Sequence, residues 1–344
     1  MEHEFNTPFP RAPRSDPFRF CAVDEGGAFQ LALAYDHFVA GGDSIARLLT
    51  GIAGAYSGRM GGTTAASLRR YPPTYRSVVI RHPLWTARAV LGLPQMIVRS
   101  RRAHRPRYAN AEDPYNAFAY FRLGPPQMRS LVATGKAWGV TLNDLLMASL
   151  LQALSPLAAD RRNAARRTEL AVASIVNIRR DFHAGDALSP FLAAFRVGHA
   201  VPDGIGLRPL VADVHAATTR IKRGHLYLQS ILALGVSALM WRFLSVRRRH
   251  GFYSKYYPAW AGITMLNVNA IWDGPGKADT EALDYLRAVP TGPLCPMVFA
   301  VTTVRDMAHV GVSFRTSAFS RAAVAEVTAA FVRCIDSLRS EPAR

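Results

Sequence analysis

The stretch from Leu31 to Ser44, LALAYDHFVAGGDS, leaves this chain few folds to adopt. Leu31, Leu33 and Tyr35 alternate with Ala32 and Ala34, the period-2 pattern of a strand. Gly41 and Gly42 then break the strand, because glycine reaches backbone angles that other residues avoid. Beyond them Ile45, Leu48, Leu49, Ile52, Ala53 and Tyr56 recur along one side of a helix. Upstream, Phe18–Val23 reads as a partner strand, with Asp24-Glu25-Gly26-Gly27 as the hairpin turn. This order places His37 just past a buried strand, at the mouth of a Gly-rich turn, where an imidazole can reach a substrate. The plainer alternative is a histidine satisfied at a strand end.

The rest of the chain alternates strand and helix patterns. Residues 57–76 are rich in Gly, Thr, Arg and Pro and read as a loop. Pro126 suits a first helical turn and Gly139 a helix end. Thr141 then caps a second helix, with Asp144 three residues on as a variant of the capping box. Leu170–Ile178 and Phe191–Val201 read as strands, as do Gly262–Ile271, Leu294–Val304 and Val310–Phe314. Ser320 caps a last helix, whose apolar face is Val324, Val327, Phe331, Ile335 and Leu338. The pattern is that of an α/β fold with mixed sheets packed by helices.

Composition narrows the function classes. The net charge is +18, and it is nearly all arginine, since the lysines are Lys136, Lys222, Lys255 and Lys277. Such a charge suits CoA phosphates, an acidic carrier protein or an anionic membrane face. No zinc-finger spacing, RNA-binding aromatic signature or basic zipper accompanies it, so nucleic acid is not expected. Cys21, Cys295 and Cys334 are scattered and form no CxxC pair, which argues against a disulfide framework or a metal site and for a reducing compartment. The segment Met1–Phe20 has no apolar core of a secretory signal, and the expected location is the cytoplasm. Two apolar stretches end in arginines, one over residues 78–107 and one at Leu226–Val246 followed by Arg247-Arg248-Arg249. Pro83 and Pro94 are expected to interrupt any helix in the first. Each stretch is either a packed helix with a solvated basic end or a helix lying at the inner membrane surface; neither is expected to span.

The segment Asp36-His37-Phe38-Val39-Ala40-Gly41-Gly42 resembles the HHxxxDG signature of the CoA-dependent acyltransferase superfamily. That superfamily takes in chloramphenicol acetyltransferase, nonribosomal-peptide condensation domains and wax ester synthases. His37 and Gly42 match the pattern; Asp36 replaces its first His and Gly41 its Asp. Three further stretches are similar to the family in the same order. They are the helix from Thr141 to Leu154 with its Asn143-Asp144, the strand ending Ser174-Ile-Val-Asn177-Ile-Arg179, and the strand holding Asn267-Val268-Asn269, with Asp273-Gly274-Pro275-Gly276 soon after. The resemblance implies a two-lobed, chloramphenicol acetyltransferase-like fold, an N-terminal lobe over residues 1–115 and a C-terminal lobe over 116–344. In the family a substantial segment precedes the His motif, whereas only 36 residues do here. The family further implies transfer of an acyl group from a CoA or carrier-protein thioester to a hydroxyl or amine, with His37 as general base and no bound cofactor or metal. Asn177 and Asn267 are candidates to contact substrate. Gly41, Gly42, Asp43 and Arg179 would position the motif. The motif Asp holds the site through an Arg in the family. Asp43 is expected instead to cap the following helix, leaving that brace missing and His37 loosely oriented. A pair between Asp43 and Arg179 is the other arrangement. A non-catalytic relative that binds an acyl carrier or a lipid-like ligand is the competing function.

Overall fold

The computed structural model of the chain describes residues 1–10, 16–27, 29–56, 80–179, 181, 188, 190–250, 252, 256–272, 284–292 and 294–338. The loop expected over residues 57–76 and the segment Asp273-Gly274-Pro275-Gly276 lie outside the described residues. Along the chain come β1 (Phe18–Asp24), β2 (Phe29–Tyr35), α1 (Gly42–Tyr56), α2 (Pro83–Leu91), α3 (Leu93–Arg102), β3 (Asn116–Leu123), α4 (Pro125–Trp138) and α5 (Leu142–Leu154). There follow β4 (Leu170–Asn177), β5 (Leu192–His199), α6 (Leu207–Arg223), α7 (Leu228–Phe243), β6 (Ala261–Asn267), α8 (Asn269–Trp272), β7 (Met297–Val304), β8 (Met307–Arg315) and α9 (Arg321–Ser337). The fold is mixed α/β.

By packing, the chain divides into two units. The smaller gathers Met1–Pro73, Asn177–Leu192 and Asn267–Asp284; the larger gathers Thr74–Val176, Ala193–Leu266 and Tyr285–Arg344. Residues 80–115, grouped with the N-terminal lobe on the sequence, pack with the larger unit.

The larger unit is built on a six-stranded sheet of order β3-β8-β7-β6-β4-β5. β8 runs antiparallel to both β3 and β7, while β4 and β6 are parallel, so the sheet is mixed. β7 is buried from Met297 to Thr302 and does not alternate, as suits a strand covered on both faces. α5 packs against both α6 and α9. Its residues from Asp144 to Leu151 are all buried. The capping box is present at its start, where the Thr141 hydroxyl accepts from Asp144 N and the Asp144 carboxylate accepts from Thr141 N. Gly139 ends α4 in the left-handed region, at φ 66°, where only glycine is at ease. In α9 the expected stripe of Val324, Val327, Phe331 and Ile335 is buried as a row, continued by Leu338 just past its end.

Three local expectations need correction. Pro83 and Pro94 do not interrupt helices; they open α2 and α3, because a proline in the first turn gives up an N–H that has no helical partner anyway. The sixth strand stops at Asn267, and Asn269–Trp272 turn into a helix instead of extending it. In the smaller unit β1 and β2 form the expected hairpin, with Phe20 opposite Leu33 and Asp24 opposite Phe29. That hairpin is not buried, however: Phe20, Val23, Phe29 and Leu31 are exposed, because its sheet has two strands, although Phe29 meets the Tyr56 ring edge-on at 5.5 Å.

Candidate active site

The turn that carries His37 is built from short-range bonds. Asp36 N–H donates to Pro17 O at 3.0 Å, which closes the open end of the hairpin. The Asp36 carboxylate accepts from Phe38 N at 2.9 Å, and Asp36 O accepts from Val39 N at 2.9 Å. An aspartate whose side chain bonds the backbone two residues on makes a turn of its own. His37 sits on that turn, exposed, with the Tyr35 ring edge-on to it at 6.1 Å. Its Nδ1 lies 2.9 Å from Ala40 O. A carbonyl oxygen only accepts, so Nδ1 carries the proton; in the neutral ring the lone pair is on Nε2. Ala40 and Gly41, which follow, are buried, and Gly41 O accepts the first helical N–H, from Ile45.

Beside this turn in the smaller unit lies a carboxylate–guanidinium cluster. Arg179 Nε donates to Asp43 Oδ2 at 2.8 Å, and Arg179 Nη2 reaches Asp43 Oδ1 at 3.4 Å and Ser44 Oγ at 2.8 Å. Asn177 Nδ2 donates to the same Asp43 Oδ2 at 3.3 Å, and Asn177 Oδ1 accepts from Arg179 N at 3.0 Å. The Arg179 guanidinium also lies over the Phe191 ring, 5.2 Å from its centre. The side chains of Arg179 and Asp43 are 12% and 17% exposed, dry enough for a two-pronged pair to hold firmly.

This arrangement overturns the expectation that Asp43 caps α1. The helix starts at Gly42, two residues earlier than a cap at Asp43 requires. Asp43 is therefore already inside the first turn, and its side chain is left to take Arg179. It still favours the positive end of the helix dipole from there. Of the two arrangements expected for Asp43, the structure has the pair with Arg179. Ser44, whose hydroxyl gives no such signal in the sequence, is a further member of the cluster.

The two asparagines differ. Asn177 is engaged at both ends of its carboxamide within the brace. Asn267 is exposed, and its Oδ1 accepts from Asn269 N at 3.1 Å, a turn that starts α8. α8 lies against α1. Among the described residues no group of three or more His, Cys, Asp or Glu side chains could hold a metal ion. Burial pushes the Cys295 thiol up to about 11 and raises Cys334 as well, so neither is a thiolate nucleophile at neutral pH.

A second carboxylate cluster, in the larger unit, was visible in the sequence only as a cap. Asp144 has no exposed surface and accepts from His215 Nδ1 at 2.8 Å, Thr218 Oγ1 at 2.6 Å and Thr141 Oγ1 at 2.7 Å. Burial alone would push its carboxyl up; the bonds from His215, Thr218 and Thr141 outweigh that and hold it below the usual carboxylate range. Its neighbour Asn143 accepts from Ser174 Oγ at 3.0 Å, which ties α5 to β4.

Comparison with solved structures supplies the context. The first condensation domain of the calcium-dependent antibiotic synthetase superposes with a TM-score of 0.66 at 16% identity, over 100% of this chain and 72% of that one. This chain has the condensation-domain fold. The epimerization domain from the third module of tyrocidine synthetase B matches with a TM-score of 0.62 at 11% identity, over 94% of this chain and 71% of that one. The X-domain from teicoplanin biosynthesis matches at 0.59 and 16% identity, over 96% and 74%. No protein-family model matches the sequence, and no curated protein matches it. The sequence resemblance to condensation domains, carried by four short stretches in order, thus has its counterpart in the fold. In this chain His37 stands beside a turn whose neighbouring carboxylate, Asp43, is paired with Arg179.

Proposed function

We propose that the chain is an acyltransferase of condensation-domain type, moving an acyl or peptidyl group from a thioester to a hydroxyl or amine with His37 as general base. The observation that carries this is the His37 Nδ1–H bond to Ala40 O, which presents Nε2 as the proton acceptor. An acyl thioester is already activated, so the transfer needs neither metal nor acyl-enzyme. The acceptor X–H would lose its proton to Nε2 as X attacks the thioester carbonyl carbon. The tetrahedral oxyanion collapses, the C–S bond breaks, and the leaving thiolate takes the proton back from the imidazolium. The Asp43–Arg179 brace supports the reading by fixing the start of α1, and so the turn that His37 belongs to; good orientation is worth much where chemistry depends on near-attack geometry. With Asn177 held in the brace, Asn267 Nδ2 is the better of the two candidates for contacting substrate. We place the protein in the cytoplasm, where its cysteines stay reduced.

The donor is either acyl-CoA or a carrier-protein thioester, and the likeness to condensation domains favours the carrier. Thiol release from both donors, with alcohols and with amines, tests the reading. His37→Ala should lower it by ~10²–10⁴, the usual contribution of general-base catalysis. Wild-type-like turnover by a folded variant refutes the role.

A second reading, a binder of acyl carriers without turnover, is favoured by the exposure of His37 and by the engagement of Asn177. It predicts carrier binding with no thiol release from any donor.

A further inference from the structure

In the larger unit α2, α3 and α7 turn apolar side chains outwards. α7 carries Val236, Leu239, Met240 and Phe243 at positions i, i+3, i+4 and i+7, a single stripe, and all four are exposed. Phe243 is 83% exposed. What α7 buries, apart from Leu228, is polar: Gln229, whose Nε2 donates to Ala89 O of α2, and Ser237, whose hydroxyl bonds Tyr257 OH at 3.0 Å. The helix is therefore apolar nearly all round, with a row of large side chains left on the outside. α2 behaves alike. It buries only Ala89, while Leu84 and Leu91 are 75% and 80% exposed. α3 buries nothing and exposes Ile97 and Val98.

The two runs of sequence that carry these helices have charge of one sign, although Arg102 meets Glu169 from outside them at 4.0 Å. No Asp or Glu occurs between Asp43 and Glu112, or between Asp213 and Asp273. Exposed arginines on or just beyond these helices include Arg88, Arg101, Arg242, Arg247 and Arg248. Among the described residues, the run Leu142–Asn163 alone is long and apolar enough to cross a membrane, and it is mostly buried inside the protein. α6 and α7 pass the same test only as a pair bent by 74°.

We propose that this face rests on an anionic bilayer, with α7 lying in the plane of the interface. Outward apolar side chains among arginines are what an interfacial helix presents. Lipid headgroups supply the acidic partners that these two runs of sequence lack. An acidic protein would answer the charge. It would also need a shaped surface for apolar residues spread over three helices, whereas lipid tails conform to them. This inference is independent of the transfer chemistry.

Flotation of the full chain with phosphatidylcholine vesicles, with and without phosphatidylglycerol, tests it. Binding to the anionic vesicles should exceed binding to the neutral ones by at least ~10-fold at low salt, and should weaken as salt screens the charges. The double variant Leu239→Glu with Phe243→Glu should lose ~10-fold or more in binding to the same vesicles while keeping its far-UV spectrum and melting temperature, since both side chains are exposed. Any of three results overturns the proposal. The wild type may stay out of the vesicle fraction at low salt. The double variant may float as well as the wild type. Light scattering may show a dimer that the double variant dissolves, which would make the face an interface between two copies.

Discussion

Asp43 and Asp144 make a useful pair. Each is an acidic residue in the first turn of a helix, each follows a break in the chain, and each collects several donors. Asp144 is fully buried, and its partners come from its own cap and from α6, so the cluster locks α5 and α6 together. Asp43 is part-exposed and pairs with Arg179, a residue 136 positions away, next to a turn bearing an exposed imidazole. The same carboxylate chemistry therefore serves a core in one place and an exposed turn in the other. Burial decides which, because a buried carboxylate that loses its donors is costly while a part-exposed one can turn to water.

Several measurements would break or sharpen this contrast. His37→Ala should give the largest effect on transfer, with no more than about 0.5 kcal/mol change in stability, as expected of an exposed side chain; thermal melts alongside thiol release check both halves. Asp144→Ala should do the reverse, costing about 3 kcal/mol in urea unfolding because it strands buried donors on His215, Thr218 and Thr141. Its pH dependence has a definite sign. A carboxyl held lower in the folded chain than in the unfolded one contributes stability above its ordinary range, and that contribution fades as pH falls through the lowered value. The acid side of the stability profile should therefore be shallower in Asp144→Asn than in the wild type. If Asp144 behaves like a surface acid, with no such change, the contrast between the two clusters is gone.

Asp43→Ala should fall between these extremes. It should cost about 1–2 kcal/mol of stability, since the pair it breaks is only part-buried. It should also reduce transfer by ~10-fold through looser orientation of the His37 turn. Arg179→Lys should restore little, because a lysine cannot reproduce the two-pronged contact. The smallest effect is expected of Gly41→Asp. With Asp43 already serving as the brace, a carboxylate restored at the motif position should bring no gain in transfer. A clear gain would mean that the observed brace is an inferior substitute.

Much of the fold was legible because the signals were local. The hairpin followed from alternation around Asp24-Glu25-Gly26-Gly27, α5 from the Thr141–Asp144 box, and α9 from Ser320 and its stripe, each a matter of residues a few positions apart. The order of His37, Asn143-Asp144, Asn177-x-Arg179 and Asn267 pointed to the condensation-domain fold, whose neighbours share only 11–16% identity in the three comparisons above. Two things escaped the sequence, and both depend on where distant segments meet. The first is the partner of Asp43: capping and pairing are equally good local chemistry, and the return of Arg179 beside α1 chose between them. The second is the cover of an apolar helix. α5 and α7 are both Leu-rich, yet α5 is enclosed by α6 and α9 whereas α7 shows its stripe to the outside. Hydrophobic spacing states which side of a helix seeks cover, and only packing in three dimensions determines whether the protein itself provides it.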